Sequence, residues 1–183
     1  GNSQTANNNL RDMWLYFGKN YGHGHENTLQ LGMEMFGLNI APDPGAPALK
    51  STDAIRLQWV NQSISHNTVT VGDKGEVDLE VGDPLHFDDS DRVKVIDVDA
   101  SDAYEQTDIY RRTIVMVEVD DDTAYGVDFF RVKGGDKHTY SFHSQAENAS
   151  VVEGLEMVEQ KDDQGNWIGS YASPEWEVGE DPN

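Results

Sequence analysis

The sequence contains no cysteine, which removes disulfide frameworks, thiolate metal sites and thiol nucleophiles together. Any metal must then be held by His, Asp, Glu or backbone oxygen. Positive charge is scarce as well: 13 Lys plus Arg stand against 34 Asp plus Glu, a formal net charge of -21. A field of that sign repels polyanions from the bulk surface and makes nucleic acid a poor partner. No run approaches the roughly 20 apolar residues that span a bilayer, so no membrane span is expected, and no charged segment followed by an apolar one opens the chain. Apolar residues make up 37% of the 183, toward the low end for a globular protein but enough for one domain with a sizeable core.

The chain starts at Gly1 with the polar run 2–9 behind it. Residues 1–9 read as a disordered lead-in, a cloning remnant joined to an interior segment of a longer protein. Residues 10–174 read as the domain, and the acidic, Pro-containing stretch 175–183 as a loosely ordered tail.

Strand signals outnumber helix signals throughout. Segments 13–17, 68–71 and 92–96 are short, rich in β-branched or aromatic residues, and bounded by Gly, Asn or Asp. Residues 28–37 alternate apolar positions and fit a strand better than a helical stripe. The clearest group is 109–119, 124–132 and 138–144, joined by turn-prone Asp120-Asp121-Asp122-Thr123 and Gly134-Gly135-Asp136, and it predicts an antiparallel meander. Ile114, Val115, Met116 and Val117 are apolar on both faces, which predicts cover on both sides, by a second sheet or by another domain. The expected fold is an all-β, antiparallel two-sheet β-sandwich.

The densest chemistry lies in Tyr21-Gly22-His23-Gly24-His25-Glu26-Asn27. If this stretch is extended, both imidazoles face one side about 6.5 Å apart, a spacing one metal ion can bridge. Asp43, in the rigid turn Pro42-Asp43-Pro44-Gly45, and His66, ahead of the strand 68–71, are further candidate ligands. Plainer readings stand beside these: polar loop histidines, an Asp43 that caps its own turn, a His66 bonded to a neighbouring carbonyl. His86, His138 and His143 have no partner pattern and read as structural or surface residues. The acidic groups around 88–91 and 97–102 lack the spacing of an EF-hand calcium loop.

The order His23-Gly24-His25, Phe36-Gly37, Asp43-Pro44-Gly45, Ser65-His66-Asn67-Thr68-Val69 and Tyr110-Arg111-Arg112-Thr113 resembles the heparinase II/III-like superfamily of heparin, heparan sulfate and alginate lyases. The resemblance covers roughly residues 16–144. It implies the C-terminal stacked-sheet part of a polysaccharide lyase, without the helical (α/α) toroid against which that part packs. It also implies that His25, Asp43 and His66 bind a divalent metal, zinc first and Ca²⁺ or Mn²⁺ behind it, and that His23 faces the cleft, with Tyr21 a second residue near the substrate. The implied reaction is β-elimination on a uronate-containing glycan. It needs a group that neutralises the carboxylate, a base and an acid, several of them from the toroid, so the chain alone is expected to be inert. A secreted or periplasmic bacterial setting goes with the resemblance. So few basic residues suit a lightly sulfated uronate polymer better than heparin.

The alternative is a non-catalytic carbohydrate-binding or cell-surface β-sandwich, with Trp14, Trp59, Trp167 or Trp176 as a stacking platform. It predicts an exposed aromatic strip. The lyase reading predicts a convergent His and Asp cluster.

Overall fold

The computed structural model describes residues 2–4, 10–19, 24–45, 50, 52–72, 74–77, 81–144, 153–156 and 163. Within them the chain is nearly all antiparallel strand: β1 (Asn2–Gln4), β2 (Leu10–Leu15), β3 (Leu31–Met35), β4 (Leu38–Ala41), β5 (Val69–Val71), β6 (Asp83–Asp89), β7 (Val93–Asp99), β8 (Ile109–Glu118), β9 (Ala124–Lys133) and β10 (His138–Tyr140). Three short helical turns, Arg56–Val60, Ser63–Ser65 and Ser101–Ala103, complete it. No helix among these residues is long and apolar enough to cross a membrane.

One four-stranded sheet has the order β1-β2-β3-β4, the other β6-β7-β8-β9, and β5 pairs with β10. The core joins them: Met13, Leu15 and Leu31 from the first sheet, Val98, Tyr110, Ile114 and Met116 from the second, Val69 and Val71 from the small pair. Fully burying one such aliphatic side chain stabilises the fold by about 1.5–3 kcal/mol. Two glycines permit the close packing. A Cβ on Gly32 would stand 1.9 Å from Trp14 Cε2, and one on Gly126 2.9 Å from Met13 Cε. The all-β antiparallel sandwich expected from the sequence is therefore the fold observed.

Four local expectations change. Asn2–Gln4, placed in the lead-in by sequence, form the edge strand β1, paired from Asn2↔Asp12 to Gln4↔Leu10. The third strand of the meander leaves its sheet: β8 pairs with β9 as expected, but β10 pairs with β5, His138 opposite Val71. Gly134 (φ 102) and Gly135 (φ 74) turn the chain across the sandwich there, and the Gly134 Cα lies so near the Gln106 carbonyl that any Cβ would clash. The strand expected over 28–37 is confined to Leu31–Met35, because Leu29 (φ 58) makes a tight turn before it. Phe36 (φ 56) and Gly37 (φ 75) form the two-residue hairpin to β4. Among the described residues, cover is supplied to one face of β8 only: Ile114 and Met116 are buried, whereas Val115 and Val117 are half-buried.

Candidate metal centre

Three loops meet at one corner of the sandwich. Residues 24–30 lead into β3, Asp43 follows β4, and His66 follows the turn Ser63–Ser65 just before β5. Here His25 Nδ1 lies 3.1 Å from His66 Nε2, and His66 Nε2 lies 3.7 Å from Asp43 Oδ2. One ligand atom from each residue falls within 4.8 Å of the others. Ligands at 2.0–2.1 Å around a tetrahedral zinc are about 3.4 Å apart, so the cluster has the dimensions of one such site.

The polar groups behind the cluster aim it. His66 is fully buried, and its Nδ1 hydrogen bonds to the Gln62 carbonyl at 2.9 Å. A carbonyl only accepts, so Nδ1 carries the proton and Nε2 presents its lone pair to His25 and Asp43, the usual orientation of a metal-binding imidazole. Asp43 Oδ2 accepts from the Gln30 amide at 2.8 Å and the Asn27 amide at 3.2 Å, while Oδ1 accepts from the Gly45 backbone N–H at 2.6 Å. The plain readings of Asp43 as a turn cap and of His66 as a carbonyl-bonded histidine thus hold alongside the cluster, and serve it by locking both side chains.

Electrostatics agree with the geometry. Burial lowers the His66 pKa to about 4 against the opposing pull of Asp43, and burial likewise lowers that of His25. Both rings are neutral near pH 7, the form that ligates metal. The donor set fits the group: two neutral imidazoles, that of His66 oriented by its bond to Gln62, and a fixed carboxylate, with no thiolate, suit zinc.

Beside His25 opens a cavity of about 290 Å³, lined by Glu26, Asn61, Gln62 and Glu76 among others. Glu76 accepts from the Thr28 N–H and hydroxyl at 3.2 and 2.6 Å and from the Ser63 hydroxyl at 3.1 Å. Burial nevertheless pushes its pKa up to about 7, and burial raises Glu26 also.

Tyr21 and His23 lie outside the described residues. The side-chain amides of Asn27 and Gln30 that hold Asp43 and the Gln62 backbone carbonyl that holds His66 were not singled out from sequence, since nothing in the spacing of these residues marks them. His143, which had no partner pattern, braces the His66 loop: its N–H donates to Asn67 Oδ1 at 2.5 Å and its Nε2 bonds to the Ile64 carbonyl at 2.8 Å. Its ring packs edge-on against Trp59. Of the arginine pair, Arg112 is buried and bonded to Asp128. Arg111, one residue away and on the opposite face, is ion-paired with Asp97.

Residues 16–179 match the family described as "Heparinase II/III-like, C-terminal". Solved structures similar to the chain include a "Heparinase III-BT4657 gene product" at TM-score 0.57 and 22% identity, over 70% of this chain and 19% of that one. The heparan sulfate lyase HepC from Pedobacter heparinus aligns at TM-score 0.57 and 18% identity, over 69% of this chain and 19% of its own. A further structure titled heparinase III aligns at TM-score 0.58 and 19% identity, over 79% and 23%. The chain thus spans 19–23% of the length of these structures. No curated protein matches it in sequence.

Proposed function

Because the chain belongs to the heparinase II/III-like C-terminal family, we propose that it is the β-sandwich part of a polysaccharide lyase that cleaves uronate-containing glycans by β-elimination, and that His25, Asp43 and His66 hold a divalent ion, zinc by preference. The observation that carries the metal reading is the convergence of the three ligand atoms within 4.8 Å, with each of His66 and Asp43 held from behind by its own hydrogen bonds.

Bound there, the ion would cross-link the loops and fix the backbone ahead of His25. His23 stands two residues before that ligand, and its proposed role is to exchange a proton or donate a hydrogen bond at the cleft wall, with Tyr21 beside it. The remaining acid, base and carboxylate-binding groups come from a helical toroid, the partner this reading requires. The isolated chain is inactive, and the full protein is secreted or periplasmic. A lightly sulfated uronate polymer is the favoured substrate class, since the adjacent pair Arg111 and Arg112 is engaged by Asp97 and Asp128 rather than open to sulfate.

Titration with Co²⁺ or Zn²⁺ should saturate at one equivalent, and His66→Ala should abolish it; a chain that binds neither ion refutes the metal reading. A full-length protein bearing this chain should generate the ultraviolet absorbance of an unsaturated uronate, and the chain alone should not.

A carbohydrate-binding module is the second reading, favoured by Tyr125 and Phe129, about half exposed on the outer face of β9. Trp14 and Trp59 are both half-buried, Trp59 against His143. Trp167 and Trp176 lie outside the described residues. Quenching of intrinsic fluorescence by uronate oligosaccharides that is lost in Tyr125→Ala would support this reading over a lyase cleft.

A further inference from the structure

Arg112 projects from the inner face of β8 and is 0% exposed. A guanidinium has five N–H donors in a rigid fork, and here all are engaged. Nε and one terminal nitrogen bind the two oxygens of Asp128 at 2.9 and 2.7 Å, and that nitrogen also donates to the Tyr140 hydroxyl at 3.2 Å. The other terminal nitrogen donates to two backbone carbonyls, Leu29 at 2.7 Å and Asn67 at 2.6 Å. Phe130 lies against the guanidinium, 4.9 Å from ring centroid to Cζ.

Those two carbonyls belong to the two loops that carry the imidazoles. Asn67 directly follows His66. Leu29 lies between His25 and Gln30 and is fully buried with φ 58, a left-handed conformation that a leucine adopts only when its surroundings impose it. Its N–H bonds to the Tyr16 carbonyl at 2.8 Å and its carbonyl to Arg112, so its peptide groups are held on both sides. That turn delivers the Gln30 amide to Asp43.

We propose that Arg112 is a positioning residue of the metal centre: one nitrogen, aimed by Asp128, ties the His25 loop to the His66 loop through Leu29 and Asn67 and sets the separation of the ligands. The inference rests on the metal reading above. Lysine keeps the charge but cannot hold a carboxylate in two-point fashion and two carbonyls at once.

Cobalt serves as the probe, because its d–d absorption reports ligand geometry while titration reports affinity. Arg112→Lys should weaken Co²⁺ binding about 10- to 100-fold, the range for residues that orient ligands, and alter the absorption band. Met116→Ala, a buried change on the same strand, should lower the melting temperature and leave cobalt affinity and spectrum as in the wild type. If Arg112→Lys does not fold, Asp128→Asn retains the guanidinium but loosens its aim and should shift affinity and spectrum in the same direction. Wild-type affinity and spectrum in the folded Arg112 or Asp128 variant would overturn the positioning role while leaving the metal reading intact. An equal loss in Met116→Ala would overturn it too, by showing general destabilisation. A wild-type chain that binds no cobalt overturns both readings.

Discussion

The two faces of β8 carry alternate residues of one ten-residue strand and live in different worlds. On the inner face Tyr110, Arg112, Ile114 and Met116 are 0–2% exposed, and their polar atoms bond far along the chain. The Tyr110 hydroxyl donates to the Val69 carbonyl at 2.6 Å and lies 3.0 Å from the Thr68 hydroxyl, and Arg112 reaches Leu29 and Asn67. On the outer face Arg111 and Thr113 bond to Asp97 on the adjacent β7, and Arg131 of β9 bonds to Thr113. The inner face assembles distant loops into a site. Among the described residues, these outer-face bonds stay within one sheet.

Asp128→Ala should have the largest effect, because it leaves Arg112 buried without its counter-charge. A loss of about 3–5 kcal/mol is expected on breaking a buried pair by removing one partner, measured by urea unfolding. A loss under about 1 kcal/mol would erase the difference between the faces. Next comes Glu76, which accepts from the Ser63 hydroxyl; that hydroxyl accepts from Tyr104, whose ring packs on Tyr110 of the inner face. The pKa of Glu76 is raised in the folded chain, from 4.5 to about 7, so between those values the folded state binds more protons than the unfolded one. This group's contribution to stability is therefore lost as pH rises from 4.5 to about 7 and is flat above. Glu26 pushes the same way. Glu76→Gln should gain on the wild type across that window, and a constant difference between the two unfolding curves would contradict the raised pKa. Arg111→Ala on the outer face should cost least, about 1 kcal/mol or less. Its side chain is 33% exposed, and ion pairs in contact with water contribute little. Raising the salt concentration should shrink that effect further while leaving the Asp128→Ala effect nearly unchanged.

The sheets were legible where alternation and turn chemistry agree. Ile109 to Glu118 and Ala124 to Lys133 pair antiparallel, as their strand-forming runs and the turn-prone Asp120-Asp121-Asp122-Thr123 between them predict. The sequence pattern misplaced the third strand of the meander: β10 crosses to β5, a choice made by two positive-φ glycines and the backbone they approach. Leu29 is a harder case still. No local preference places a leucine in the left-handed region, and only its bonds to Tyr16 and Arg112 hold it there.

At the candidate site, the sequence by itself named His25, Asp43 and His66, through residue type, flanking glycine and proline, and resemblance to a family. Tertiary structure alone decided that His66 presents Nε2, that two amides grip Asp43, and that a buried arginine from the opposite sheet ties the loops together. Ligand identity depends on side-chain chemistry, which each residue carries wherever it lies. Ligand orientation depends on hydrogen bonds between residues as many as 83 positions apart, and those exist only after the sandwich has closed.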